Sequence, residues 1–303
     1  MGCEFRPEGF NFGQGKDNMI EIDWISLQGT GEWNEDAVIL NEELSLYGVV
    51  DGATSLVPYR GAGNETGGRL ASQIIKQYTE SVTAAEFKGI EALLREANSR
   101  LGQEMIRCGI NPQAKEELWT AGAALVRITD SAVEFIQAGD CMIYAIYEDG
   151  SIRAITRDHV AAIDQESKRI WVDGIEAGVR SKDQLWETVK PVIAANKQKM
   201  NTPEGYSVLN GMPAAEQFFE YGRINKIRLQ SLLLVSDGLF YPDEGETAEE
   251  DGAESLVRQV SQTGLDRYAE WLLQLEREDA ECIRYPRFKV SDDKTGIYIR
   301  LRS

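Results

Sequence analysis

Three places in this sequence set aspartates at the margins of apolar, strand-like runs. Leu46–Val50 runs into Asp51-Gly52, Ser231–Ser236 (SLLLVS) runs into Asp237-Gly238, and Asp292-Asp293 stands just before Gly296–Leu301 (GIYIRL). A carboxylate fixed by a strand and exposed by the following turn is a ligand for Mg2+ or Mn2+, hard cations that take oxygen donors and keep several waters. Two such ions about 4 Å apart lower the pKa of a shared water and stabilise both oxygens of an in-line displacement. The same residues also have a plainer reading. Asp-Gly is a favoured turn pair, and one alone signals a turn rather than a site. Residue type and spacing therefore leave two alternatives, a carboxylate metal site or three solvated turns.

Other chemistries are excluded more firmly. One histidine, His159, rules out a His-rich zinc site and leaves a Ser-His-Asp triad only that residue to use. The four cysteines (Cys3, Cys108, Cys141, Cys282) have no CxxC spacing and read as reduced thiols of a cytoplasmic protein. With 32 basic against 50 acidic residues the net charge is −18, a field that repels nucleic-acid backbones. No run of about 18 apolar residues exists, so no membrane span is expected. Gly2 invites N-myristoylation, but Arg6 stands where that motif wants Ser or Thr. The 42% hydrophobic and 27% charged content is that of a globular chain, and 303 residues suffice for one large core.

The elements that must position the aspartates follow from periodicity. Residues 1–18 read as a Gly-rich leader and 19–303 as a single domain. Ile20–Ser26 alternates as a half-buried strand does, and Ala37–Leu40 and Leu46–Val50 are short apolar strands, the second stopping at Asp51-Gly52. Leu70, Ile74, Ile75 and Tyr78 mark one helix, and a second is expected over Ala84–Ile106. Strands follow at Ala121–Ile128, Ala132–Ile136, Met142–Tyr147 and Ile152–Ile155, with a hairpin signal at Glu148–Ser151. Residues 161–200 read as helical, Tyr206–Tyr221 as loop, and the acidic run Asp243–Glu254 as a solvated loop. Helices at Leu256–Gln262 and Arg267–Glu276 precede the last strand. This order suits an α+β fold with antiparallel sheet better than βαβ alternation.

In their order along the chain, these segments resemble the metal-dependent serine/threonine protein phosphatases of type 2C. The resemblance rests on Asn34-Glu35-Asp36, Tyr47–Gly52 (YGVVDG), Ala138–Cys141 (AGDC), Ile155–His159 (ITRDH), Leu233–Leu239 (LLVSDGL) and Ser291–Thr295 (SDDKT). It implies two packed antiparallel β-sheets flanked by helices, an αββα sandwich. It implies two divalent cations, Mg2+ or Mn2+, held by Asp51, the carbonyl of Gly52, Asp237 and Asp292, with Asp292 matching the family's position rather than Asp293. Glu35 and Asp36 would hold waters around the ions, and Asp140 matches a residue that serves a third, weaker ion in some relatives. His159 falls in a motif that is mainly structural. The implied reaction is hydrolysis of phosphoserine or phosphothreonine on a protein by metal-activated water, carried out by a monomer.

Departures from the family lie around the substrate. Gly31 stands where many relatives carry the arginine that grips phosphate, and Arg60 or Arg69 would have to substitute. Ala53 replaces a common histidine, the loop Ala53–Gly61 (ATSLVPYRG) departs from the usual Gly-Gly turn, and Lys294 brings a cation next to Asp293. These departures keep two other readings open: a binding module that retains the fold without efficient catalysis, and a phosphatase for a small metabolite.

Overall fold

A computed structural model of the chain describes residues 13–14, 20–53, 55–242 and 252–302. Most of the leader and most of the acidic run 243–254 lie outside the described residues, as does Thr54. The strands are β1 Gly13–Gln14, β2 Ile20–Leu27, β3 Ala37–Asn41, β4 Leu46–Ala53, β5 Thr120–Ile128, β6 Ala132–Ala138, β7 Met142–Tyr147, β8 Ile152–Ala154, β9 Glu220–Asn225, β10 Leu229–Val235 and β11 Lys294–Leu301. The helices are α1 Gly67–Ser81, α2 Ile90–Arg107, α3 Ala161–Glu176, α4 Lys182–Lys197, α5 Gly252–Thr263 and α6 Leu265–Glu278.

The strands form two antiparallel sheets, one ordered β1-β2-β11-β10-β7-β8 and the other β3-β4-β5-β6-β9. Side chains alternate across each strand, so a strand covered on both faces is apolar throughout. In β10, Leu232 and Leu234 point into the layer between the sheets with Val49, Val126, Ile143 and Ile297. Leu233 and Val235 point the other way, under α5 and α6, with Val257, Val260 and Leu272. On the opposite face of the molecule, α1 and α2 bury Ile75, Leu94 and Leu101 against Ile39, Val50 and Leu125. The result is the expected α+β sandwich with helices on both outer faces. No described helix is long and apolar enough to cross a membrane.

α3 and α4 belong to neither helical layer. They form a hairpin whose own small core, Trp171, Leu185 and Val189, closes on Cys282 and Phe288. Trp171 Nε1 donates to the Cys282 carbonyl at 3.0 Å, tying the hairpin to the segment after α6.

Several boundaries differ from expectation, each for a physical reason. β4 does not stop at Val50: Asp51, Gly52 and Ala53 stay in register opposite Gly122, Ala121 and Thr120 of β5. Sheet pairing overrides the turn preference of Asp-Gly there. α2 starts at Ile90, capped by Gly89, and not at Ala84; Thr83 Oγ1 donates to Glu86 Oε2 at 2.8 Å in a local turn ahead of it. The helical stretch 161–200 is two helices, parted where Gly178 and Ser181 fall. β9, whose Glu220 and Tyr221 fell in the expected loop, is an edge strand with an alternating, mostly polar sequence that carries no apolar signature.

Candidate functional site

Asp51 is carried on β4, which pairs with β3 on one side and β5 on the other, so its position is fixed by two ladders. Gly52 beside it is buried because nothing larger fits. A β-carbon there would lie 2.2 Å from the Gly68 carbonyl oxygen and 2.6 Å from that of Glu35. Asp237 opens a short 3-10 turn, Asp237–Leu239, at the end of β10. Gly238 lets the loop before β11 cross there: a β-carbon would fall 1.8 Å from the Asp293 carbonyl oxygen. Two strand ends and one loop are thereby drawn to a single place.

There the carboxyl groups of Asp51 and Asp237 lie close enough to interact electrostatically. Burial pushes the Asp51 carboxyl well above the usual range, and the charges of Asp36, Asp237, Asp140 and Asp292 push it further. Asp237 is raised by burial and by Asp292. Asp36 is raised by burial and then by Asp293, while Ser236 Oγ donates to its Oδ2 at 2.8 Å. Asp140 is raised by burial and by Asp237, Asp158 and Asp164. Asp51, Asp237, Asp36 and Asp140 thus gather in one electrostatically coupled group.

The two adjacent aspartates before β11 have separate roles in the structure. Asp293 is spent on backbone: Oδ1 accepts from Gly29 N at 2.7 Å and Oδ2 from Glu35 N at 2.6 Å. Asp292 lines the cavity next to Asp237 and accepts from Lys289 Nζ at 2.6 Å. Burial works against the charge on Lys289, but Asp292, and behind it Asp51 and Asp237, hold its pKa above the ordinary lysine value. Lys294, expected beside Asp293, is fully buried. Its ammonium binds Glu276 at 2.9 Å and the Asp292 carbonyl oxygen at 3.0 Å, bracing the loop from behind.

Glu35 parts from Asp36. Its carboxylate accepts from Thr66 Oγ1, the cap of α1, rather than joining the aspartates. Burial pulls Lys197 of α4 down to about 8, against the opposing charge of Glu35. Arg69 donates to the carbonyls of Asn34 at 2.9 Å and Asp36 at 3.4 Å, holding the acidic motif in shape. Arg60 forms a 2.7 Å ion pair with Glu32 on the surface. His159 Nε2 lies 2.9 Å from Glu220 Oε2 of β9.

A cavity of about 340 Å³ opens from this cluster. Asp140, Asp158, Asp164, Asp237 and Asp292 line one part, and Phe240, Leu272, Tyr285 and Phe288 another. Sequence reasoning did not mark Asp158, Asp164, Lys168 or Lys289 as site residues. Asp158 accepts from Val160 N and Ala161 N, both at 2.8 Å, at the start of α3. Asp164, one turn on, is pushed up to about 6 by burial, against the nearby charge of Lys168. Only the motif around Asp158 carried a local signal; the other three are surface-like charges in helix or loop.

Among the described residues, no group of three or more His, Cys, Asp or Glu side chains stands ready-made around an ion position. The donor chemistry nevertheless fits hard cations. Every candidate ligand is an oxygen, and burial first, then the neighbouring carboxylates, raise the pKa values of Asp51 and Asp140. A cation would favour the deprotonated form of these raised carboxyls and release protons, as metal binding to acidic ligands does.

A search of curated proteins gives no match. Solved structures with the same fold include the Mycobacterium tuberculosis serine/threonine phosphatase PstP/Ppp, at 18% identity and TM-score 0.56, covering 94% of this chain and 100% of that one. The catalytic domain of PstP in complex with 2 manganese ions matches at 16% identity and TM-score 0.57, covering 94% and 99%. Serine/threonine phosphatase Stp1 from Staphylococcus aureus matches at 17% identity and TM-score 0.55, covering 98% and 100%. At such identities the likeness is one of fold. The family model for protein phosphatase 2C goes further, matching residues 26–276. That span holds Asp36, Asp51, Asp140 and Asp237 and the whole five-stranded sheet, and the chain belongs to the protein phosphatase 2C family of metal-dependent protein phosphatases.

Proposed function

We propose that this chain hydrolyses phosphoserine and phosphothreonine esters on proteins, using divalent cations gathered by Asp51 and Asp237. The observation that carries the reading is the convergence of Asp51 and Asp237, from two strand ends, amid Asp36, Asp140 and Asp292. The relative solved with 2 manganese ions supports a pair of cations. Asp51, the Gly52 carbonyl, Asp237 and Asp292 would hold them, with Asp140 serving a third. Bound ions supply a water of lowered pKa and draw charge from the phosphoryl oxygens.

The chain's own residues do the rest by position. Ser236 Oγ donates to Asp36 Oδ2, a bridge from the end of β10 to the start of β3 that holds the Asp36 carboxyl within charge range of Asp51. Asp293 clamps Gly29 and Glu35, and Lys294 braces Asp292, so the last ligand sits on a loop tied at both ends. Ala53 offers no acid beside Asp51 and His159 is engaged with Glu220, so the leaving oxygen takes its proton from water. The three thiols Cys108, Cys141 and Cys282 are free, which suits a reducing compartment, and the reading places the enzyme in the cytoplasm.

One contact favours a second reading, a weak or inactive binding module: the Lys289 ammonium already neutralises Asp292. Hydrolysis of a phosphothreonine peptide in EDTA, then with added Mn2+ or Mg2+, separates the two. The enzyme reading expects turnover only with a cation. No turnover with either metal contradicts it and favours the module. Turnover of phosphorylated metabolites but not phosphopeptides moves the substrate to a small molecule.

A further inference from the structure

A phosphate monoester arrives as a dianion, and a site built from carboxylates must offer it positive charge beyond the cations it binds. Gly31 offers none. Arg60 and Arg69 do not line the cavity, one being paired with Glu32 on the surface and the other bonded to backbone carbonyls. Three basic residues do line it: Lys168, Arg287 and Lys289. Arg287 is spent on structure, with Nη1 2.7 Å from Asp279 Oδ2, Nη2 bonded to the carbonyls of Glu276 and Asp279, and Nε bonded to that of Val290. Lys289 is paired with Asp292. The Lys168 side chain has no hydrogen bond or ion pair with any described residue.

Building on the phosphatase reading above, we propose that Lys168 is the residue that grips the phosphoryl group of the substrate, in place of the arginine absent at position 31. It projects from α3 into the cavity that Asp237 lines from the end of β10. Asp164, on the same face one turn earlier, and Asp158 lie within reach of its charge. α3 is anchored through the hairpin's own small core, where Trp171 one turn later is fully buried and bonded to the Cys282 carbonyl. A lysine holds phosphate as a point charge on a flexible stem, without the planar fork of arginine. The site accordingly gives up some orientation of the phosphoryl group and keeps its affinity. Specificity then falls to the apolar part of the cavity, where Phe240, Leu272, Tyr285 and Phe288 suit a bulky residue beside the phosphorylated one.

The full chain with Lys168→Met, Lys168→Arg and, as a surface control, Lys190→Met tests this against inorganic phosphate and p-nitrophenyl phosphate in Mn2+. Lys168→Met is expected to raise KM for p-nitrophenyl phosphate and the inhibition constant for phosphate about tenfold each, a single lost charge-assisted contact. kcat should stay within about threefold, Mn2+ affinity and melting temperature should not move, and Lys168→Arg should restore both constants. An unchanged KM in Lys168→Met overturns the proposal. So does a parallel loss of Mn2+ affinity, which would make Lys168 a counter-charge for Asp158 and Asp164. Should the wild type hydrolyse nothing, calorimetric phosphate binding to the Mn2+-loaded protein decides. Tenfold weaker binding in Lys168→Met upholds the subsite while the catalytic reading falls; no binding by the wild type overturns both.

Discussion

Asp51 and Asp237 stand on or just beyond strands that pair on both sides, whereas Lys168, Phe288 and Lys289 stand on a helical hairpin and the segment packed against it. The strand side allows no slippage, because a one-residue shift of register would turn Asp51 to the opposite face. The hairpin side is held by a small separate core around Trp171 and shares no ladder with either sheet. One half of the site is thus locked to the fold and the other is adjustable.

The harshest way to break this comparison is to neutralise the locked half. Asp51→Asn should lower kcat for a phosphopeptide about 10³-fold, ~4 kcal/mol of transition-state stabilisation. The metal-free protein should melt at the same temperature or higher, because a member of a mutually repelling cluster is gone. A loss of activity below tenfold would show that Asp51 is a bystander.

Trp171→Ala attacks the adjustable half. Deleting a fully buried tryptophan should destabilise by about 3–5 kcal/mol, read by urea denaturation. KM should rise severalfold while Mn2+ affinity stays within about threefold. If metal binding fell as far as substrate binding, the two halves would not be separable.

The acidic cluster also sets a pH dependence. Asp36, Asp51, Asp140 and Asp237 have raised pKa values in the folded chain, and Asp164 titrates at about 6. Their unfolded values lie near 4. A raised folded value means the folded state binds more protons, so this stability is full below about pH 4 and is lost as pH rises through the folded values. The metal-free protein should therefore resist urea better at pH 5.5 than at pH 7.5. Saturating Mg2+ should shrink or reverse that difference, since the ion needs deprotonated ligands. Greater metal-free stability at pH 7.5 would contradict the cluster.

The smallest effect expected is at the join between the halves. Lys289→Ala removes a half-exposed ammonium that competes for Asp292. Mn2+ affinity measured by calorimetry should tighten by a few-fold. Weaker binding instead would mean that Lys289 orients Asp292 for the ion.

How far the site could be read from sequence follows the same division. Asp51 and Asp237 were visible because an apolar run ends at each, a direct trace of a buried strand. The turn reading of Asp51-Gly52 failed because local preference could not anticipate eight paired positions between β4 and β5. Asp292 and Asp293 are chemically identical neighbours that residue type cannot separate; the family resemblance points to Asp292, and the fold shows Asp293 tied to Gly29 and Glu35 and Asp292 lining the cavity. Lys168 and Lys289 carried no signal at all, since a lysine lining a cavity and one in solvent look alike until the hairpin is placed. β9 was missed for a related reason: an edge strand exposed along one side has no apolar run to betray it.

The most direct measurement of the central claim is anomalous diffraction from crystals soaked in Mn2+. The account predicts two peaks within about 4 Å of each other, with the Asp51 carboxylate between them and Asp237 and Asp292 on one of the ions. An acidic cluster empty of anomalous signal at saturating Mn2+ would contradict it.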